Sequence, residues 1–307
     1  SQLVKVKSEL LIKKPKSISN KNAMILGTAG FTSLLCSFAI KAREELLLGE
    51  KVNDVLVTGA TGGLGKHMAE TLAELGSDLI LVDRPKSDYS TLIEALKQYK
   101  ASSIECIECD LESFEQRVDL IQQINKKKLS VDVLINNAAF GGTTNLEGWV
   151  VPFEEQTVDT WRRAIEVNLT AAFDLSKALL PKLKKSGNSS IINVASIYGV
   201  TGPVHSMYED TEMGNPAAYS ASKGGLIQFT RWLATTIAPE VRVNAISPGG
   251  IYRNQPESFV NRYNERTPLG RMAAEEDLKG IIAYLASDMS KYVTGQNINI
   301  DGGWTVW

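Results

Sequence analysis

The sequence predicts a doubly wound α/β fold, a parallel sheet with helices on both faces. Three observations carry this. Short apolar, β-rich runs alternate with longer helical patterns from residue 52 onward, the runs are apolar on both faces, and the first ends in a glycine-rich turn. With 307 residues and 43% hydrophobic content the chain can bury a full core, and one main domain over 49–307 is expected, preceded by an extension over 1–48.

The elements follow in order. Asp54 to Val57 reads as a strand, with a helix opening at Gly63; Leu79 to Val82 is followed by a helix over Tyr89 to Tyr99, and Ile104 to Cys109 by a helix over Phe114 to Lys126. Val131 to Asn136, Ser190 to Val194, Val241 to Ile246 and Asn297 to Ile300 complete the strands. No internal repeat or low-complexity run interrupts them.

Residues 1–48 stand outside that pattern. Their opening is lysine-rich, and Ala23 to Ile40 then runs 18 residues without a charge, between Lys21 and Lys41. That length sits at the bottom of the range that spans a bilayer, and glycine, serine and threonine within it argue against a membrane anchor.

A net charge of -2 and a pI near 5.9 give no basic field, so neither nucleic acid nor an anionic membrane surface is an expected partner. Cys36, Cys106 and Cys109 fit a reducing cytoplasm. The Cys106-Ile-Glu-Cys109 spacing resembles half a zinc or redox site, but no second ligand pair accompanies it and His67 and His205 are the only histidines, so no metal is expected.

The chemistry centres on Tyr219-Ser-Ala-Ser-Lys223. Residues four apart share a helix face, which sets a phenol beside an ammonium; a nearby cation favours the phenolate and is expected to lower the tyrosine pKa, suiting proton exchange with a substrate oxygen. Alone, the pair also fits a half-buried core tyrosine with its lysine in solvent. Three further features reverse that. Val55-Leu-Val-Thr-Gly-Ala-Thr-Gly-Gly-Leu-Gly65 runs from strand through a glycine turn into a helix, where glycine admits a close pyrophosphate and the helix start offers free N–H groups. Asp83 ends the second strand 24 residues after Gly59, placed to accept from the adenosine ribose hydroxyls and to repel a 2'-phosphate. Arg84 beside it suits that phosphate instead, so NAD is the expected cofactor with NADP as the alternative. Ser196 completes the set.

Thr58-Gly-Ala-Thr-Gly-Gly-Leu-Gly65, Asp110-Leu111, Asn136-Asn-Ala-Ala139, Asn168, Ser196, Tyr219-x-x-x-Lys223 and Pro248-Gly249, in this order, resemble the short-chain dehydrogenase/reductase family over 50–307. Gly214 to Trp307 is most similar to reductases found with surface-sugar and flagellin-modification genes. The resemblance implies a Rossmann-type fold, an NAD(P) cofactor and a catalytic set of Asn168, Ser196, Tyr219 and Lys223. In that set Tyr219 is the acid or base, Lys223 lowers its pKa and binds the nicotinamide ribose, Ser196 bonds the reacting oxygen, and Asn168 holds a water linking Lys223 to solvent. It further implies cofactor contacts from Gly59, Thr61, Gly63, Leu64, Gly65, Asp83, Asp110, Leu111, Asn137, Ala138, Tyr219, Lys223, Pro248, Gly249 and Ile251. Singly, Ser196 also reads as a strand-end hydroxyl, Asn168 as a helix-interior asparagine and Asp110 as a strand-end cap. Residues 1–45 resemble a fragment of medium-chain quinone-reductase and acryloyl-CoA-reductase-like enzymes, which favours a fused fragment over an anchor or a presequence.

The sequence departs from the family in three places. Ala139 stands where glycine is usual, no threonine follows Pro248-Gly249 to hold the nicotinamide carboxamide, for which Tyr252 or backbone is the substitute, and the interval from Ser196 to Tyr219 is lengthened by an inserted loop. That loop, His205 to Asn215, carries Glu209, Asp210 and Glu212. It reads either as a pocket wall suited to a polyhydroxylated substrate or as a solvated loop. Gly141 to Trp149 is a second candidate wall, and Arg253 with Asn254 a candidate contact for a sugar phosphate. The expectation is therefore an NAD(P)-dependent oxidoreductase acting on a secondary alcohol or ketone of a sugar or sugar derivative, a homotetramer in the cytoplasm with a small-molecule substrate. The alternatives are a 3-oxoacyl-thioester reductase and a non-catalytic nucleotide-binding scaffold.

Overall fold

The computed structural model describes residues 54–99, 103–141 and 144–307. The expected extension over 1–48, with its apolar run, lies outside the described residues.

Seven parallel strands form one sheet in the order β3-β2-β1-β4-β5-β6-β7: β1 (Val55–Thr58), β2 (Leu79–Asp83), β3 (Ile104–Glu108), β4 (Val133–Asn136), β5 (Ser189–Val194), β6 (Val241–Pro248) and β7 (Asn297–Ile300). All seven coincide with runs expected from the sequence. The order reverses direction between β1 and β4, and the crevice at such a reversal, beyond the carboxyl ends of the strands, is where α/β sheets bind ligands.

Alternation along each strand supplies two separate cores. Val55, Val57, Leu79, Leu81, Val133 and Ile135 face one layer, which holds α1 (Gly63–Glu74), α2 (Ser90–Leu96) and a later helix bearing Ile282 and Leu285. Leu56, Ile80, Val82, Leu134 and Ile191 face the other, built from α3 (Phe114–Lys126), α5 (Ala171–Ser186) and α6 (Ala217–Ile237). Each layer removes the apolar face of the sheet from water, as an open sheet buried on both sides requires. Between α3 and α5 lies α4 (Val158–Ile165), which continues into a π-helical segment, Glu166–Thr170, before α5. After β6 come α7 (Glu257–Arg266) and α8 (Lys279–Ala286), the latter supplying Ile282 and Leu285. Among the described residues no helix is long and apolar enough to cross a membrane, no group of metal-ligating side chains assembles, and Cys106 and Cys109 are free thiols.

Candidate active site

A cleft of about 730 Å³ opens along the carboxyl ends of the strands. Its lining includes every site residue anticipated from the sequence except Asn168.

At one end lies the glycine turn. Gly59 has φ +64, a backbone conformation open to glycine, and a methyl there would stand 2.9 Å from Ala138 Cα. A methyl on Gly65 would fall 2.0 Å from the Gly59 carbonyl oxygen, so helix α1 packs directly on its own entry turn. β4 secures the turn from the side: the Asn137 amide donates to the carbonyls of Thr58 (2.9 Å) and Gly59 (3.1 Å), and Thr58 Oγ1 accepts from the backbone N–H groups of Asn137 and Ala138. Asn137 thus shapes the cradle through its side chain. Asp83 faces the turn from β2, its Oδ2 accepting from both Thr61 N and Thr61 Oγ1 at 2.8 Å and its Oδ1 from Arg84 N at 2.8 Å. Asp110 lines the cleft and also accepts from Glu112 N at 3.0 Å, so it is both a wall residue and a strand-end cap. The glycine backbone, the start of helix α1 and a carboxylate at the tip of β2 are groups that would suit an adenine dinucleotide.

Tyr219 and Lys223 lie one turn apart on α6, and Ser196 caps a 3-10 turn, Ile197–Gly199, directly after β5. The Ser196 hydroxyl, which accepts from Tyr198 N at 3.2 Å, lies beside the Tyr219 phenol and acts to lower its pKa. That turn and α6 meet backbone to backbone, because a methyl on Gly199 would stand 2.7 Å from the Lys223 carbonyl carbon. The phenol does not follow the expected lowering. Burial pushes its pKa up, with the Ser196 hydroxyl opposing, and the Lys223 ammonium sits 5.8 Å from the ring centre. Lys223 itself is 2% exposed; its Nζ donates to the Val194 carbonyl at 2.6 Å, and burial pushes its pKa down to about 8.

Asn168 sits behind this group in the π-helical segment. Its Oδ1 accepts from Phe140 N at 2.7 Å, and its Nδ2 donates to Phe140 O (3.2 Å) and Ser222 Oγ (3.0 Å). These bonds tie the segment after β4 to α6, and the π-type register displaces carbonyls of residues 166–170 from the ordinary helical ladder. The side chain is therefore a brace. Ser222 and the Val194 carbonyl escaped sequence reasoning, Ser222 because it lies inside the Tyr219–Lys223 motif without a distinguishing pattern and Val194 because a backbone acceptor leaves no mark in sequence.

The remaining expectations divide. Tyr252 is half-exposed and outside the cleft lining, whereas Arg253 lines it. Its Nε bonds Glu275 at 2.9 Å, and its guanidinium covers Gly63, where a methyl would approach within 2.5 Å of Nη2. Gly141 lines the cleft, whereas Trp149 is buried and donates to the Gly141 carbonyl. From the insertion, Tyr208 and Met213 to Asn215 line the cleft; Glu209, Asp210 and Glu212 are exposed and do not.

Residues 59–305 match the family described as enoyl-(acyl carrier protein) reductase. The chain is 31% identical to a 3-oxoacyl-(acyl-carrier-protein) reductase of Aquifex aeolicus, over 84% of this chain and 99% of that one. It is also 31% identical to trans-4-hydroxycyclohexanecarboxylate dehydrogenase of Sinomonas cyclohexanicum, over 84% and 94%. A short-chain dehydrogenase of Leptospira borgpetersenii, solved with bound NAD+, is similar in structure with a TM-score of 0.70 and 34% identity, covering 82% of this chain and 92% of that one. The chain belongs to the short-chain dehydrogenase/reductase family.

Proposed function

We propose that the chain is an NAD(P)-dependent oxidoreductase that interconverts a secondary alcohol and its ketone at Tyr219. The observation that carries this reading is that Ser196, Tyr219 and Lys223 line the same cleft as the glycine cradle, with the Lys223 ammonium 5.8 Å from the Tyr219 ring centre. The nicotinamide, when bound, supplies or accepts the hydride. Tyr219, held as a neutral phenol by burial, gives its proton to the carbonyl oxygen as that oxygen gains charge, and takes it back in oxidation. Ser196 bonds the same oxygen and orients it. Lys223, protonated below about pH 8, holds positive charge under the phenol. Asn168 fixes α6 to β4 so that these groups keep their spacing.

Asp83 favours NAD. Its carboxylate meets ribose hydroxyls and repels a 2'-phosphate, while Arg253, held by Glu275 over Gly63, adds a cation for the pyrophosphate. A 3-oxoacyl-thioester reductase stays the second reading because that activity names one of the relatives above. Of the two grounds for the sugar expectation, the acidic insertion no longer supports it, because its carboxylates stand outside the cleft, and it rests on the likeness of Gly214 to Trp307 to surface-sugar and flagellin-modification reductases. Assembly into a homotetramer belongs to the same reading: Trp161, Phe173 and Trp232 on α4, α5 and α6 are exposed, as are Val306 and Trp307, although Trp304 is buried. Free Cys106 and Cys109 suit a cytoplasmic setting. Every residue assigned to the site lies at 59 or beyond.

The reading is tested with Tyr219→Phe. Turnover should fall at least ~100-fold. NADH affinity should not change. Turnover within a few-fold of the unaltered chain would remove Tyr219 from the chemistry.

A further inference from the structure

The wall of the cleft opposite the glycine cradle is made by the insertion and α7. The insertion turns at His205–Tyr208, with Met207 3% exposed beneath it. Arg262 on α7 donates from Nη1 to the carbonyls of Glu209 (2.6 Å) and Met207 (3.4 Å), and the Tyr208 ring lies 5.6 Å from the Phe259 ring. The loop is therefore docked on the body of the domain. It presents Tyr208 and Met213 to the cleft, beside Tyr198, Phe259 and Met272.

Polar side chains on this wall are few and several are engaged within it, with one O–H of the Tyr198–Tyr208 pair, the Tyr263 O–H and the Asn254 amide left over. The Tyr198 and Tyr208 hydroxyls bond each other at 2.5 Å, leaving one O–H between them, and the Tyr263 hydroxyl accepts from Gly250 N at 2.5 Å. Gln255 is held at both ends, its Oε1 accepting from Arg253 N and its Nε2 donating to Ile251 O, and the Asn215 amide donates to Ser220. A ligand hydroxyl pressed against this surface would give up water and gain few partners, whereas a hydrocarbon face would give up water and gain close contact.

We propose that the cleft selects a secondary alcohol or ketone with an apolar carbon skeleton, ring or chain, and that Tyr208, Met213 and Phe259 seat that skeleton. This rests on the oxidoreductase reading above. Tyr219 and Ser196 supply the polar end of the pocket, and the insertion with α7 supplies the apolar end. Arg262 is a positioning residue that keeps the loop on α7.

Pairs of alcohols that share a carbon skeleton but differ in hydroxyl number separate the two ideas. With purified full-length protein and NAD+, kcat/KM for cyclohexanol should exceed that for inositol, and 2-hexanol should exceed sorbitol, each by about tenfold or more. Met213→Asn should raise KM for cyclohexanol about tenfold, with kcat and NADH affinity held. Phe259→Leu keeps the core filled and should raise KM in the same sense. Polyols used as well as their deoxygenated partners, or an unchanged KM in both variants, would overturn the apolar seat and leave the oxidoreductase reading standing. Absence of turnover on every alcohol and the matching ketones, with NADH bound, would overturn that reading and this proposal together.

Discussion

The Lys223 ammonium is anchored 2.6 Å from the Val194 carbonyl, at the end of the strand that leads into Ser196. Burial, not an acidic partner, dominates its titration, and holds it at about 8 against an ordinary 10.5. Below pH 8 the folded chain carries a buried charge at a cost; between pH 8 and 10.5 the folded form releases a proton that the unfolded form keeps, so stability rises with pH across that window. Lys223→Met should therefore stabilise the protein at pH 7 by roughly 3 kcal/mol, an advantage that fades by pH 10.5. Thermal melts across pH check this, and turnover of the same variant should fall. A melting-temperature difference independent of pH would contradict the assignment.

Asp83 already accepts from Thr61 and Arg84 N–H groups, so a ribose hydroxyl joins an oriented carboxylate. Asp83→Ser should reduce kcat/KM with NAD about tenfold or more and raise the relative use of NADP. Arg84 is then left as the charged residue at the tip of β2. If the unaltered chain prefers NADP, Arg84 governs the site instead.

Arg253 stands against the positive end of α1, an arrangement that favours an anion between them. Arg253→Ala should weaken binding of NADH and of ADP-ribose by about tenfold or more while leaving adenosine binding unchanged. Titration calorimetry with all three ligands separates a pyrophosphate contact from a general loss of fold. Equal weakening of adenosine would reject the contact.

Removal of residues 1–48 should leave turnover intact, since every residue assigned to the cofactor or to proton transfer lies at 59 or beyond. Assay of the truncated chain checks it, and light scattering of the full chain should report several copies per particle. A folded but inactive truncation would show that the extension completes the site.

Much of this was readable in the sequence because it is local. Each strand carries its own run of apolar residues, and glycines at 59, 63 and 65 announce the turn by residue type alone. The insertion was readable only as an insertion: which of its side chains turn inward depends on Arg262 and Phe259, about fifty residues further on. Arg253 was legible as a cation without a direction, since Glu275 holds it and nothing in the local pattern says so. The tyrosine pKa went astray for a related reason. Proximity to a lysine is a sequence property, but the depth of burial that opposes it is a property of the packed domain.

Gly199 takes no part in the chemistry, yet its missing methyl lets the Ser196 turn rest on the backbone of α6 at Lys223. The gap between the two reacting hydroxyls is thereby fixed as a machinist fixes a clearance, by a part whose only property is thinness. Side chains around the cleft can be exchanged to suit new substrates while that clearance holds. Widening it by one carbon atom would detune the proton donor for every substrate alike.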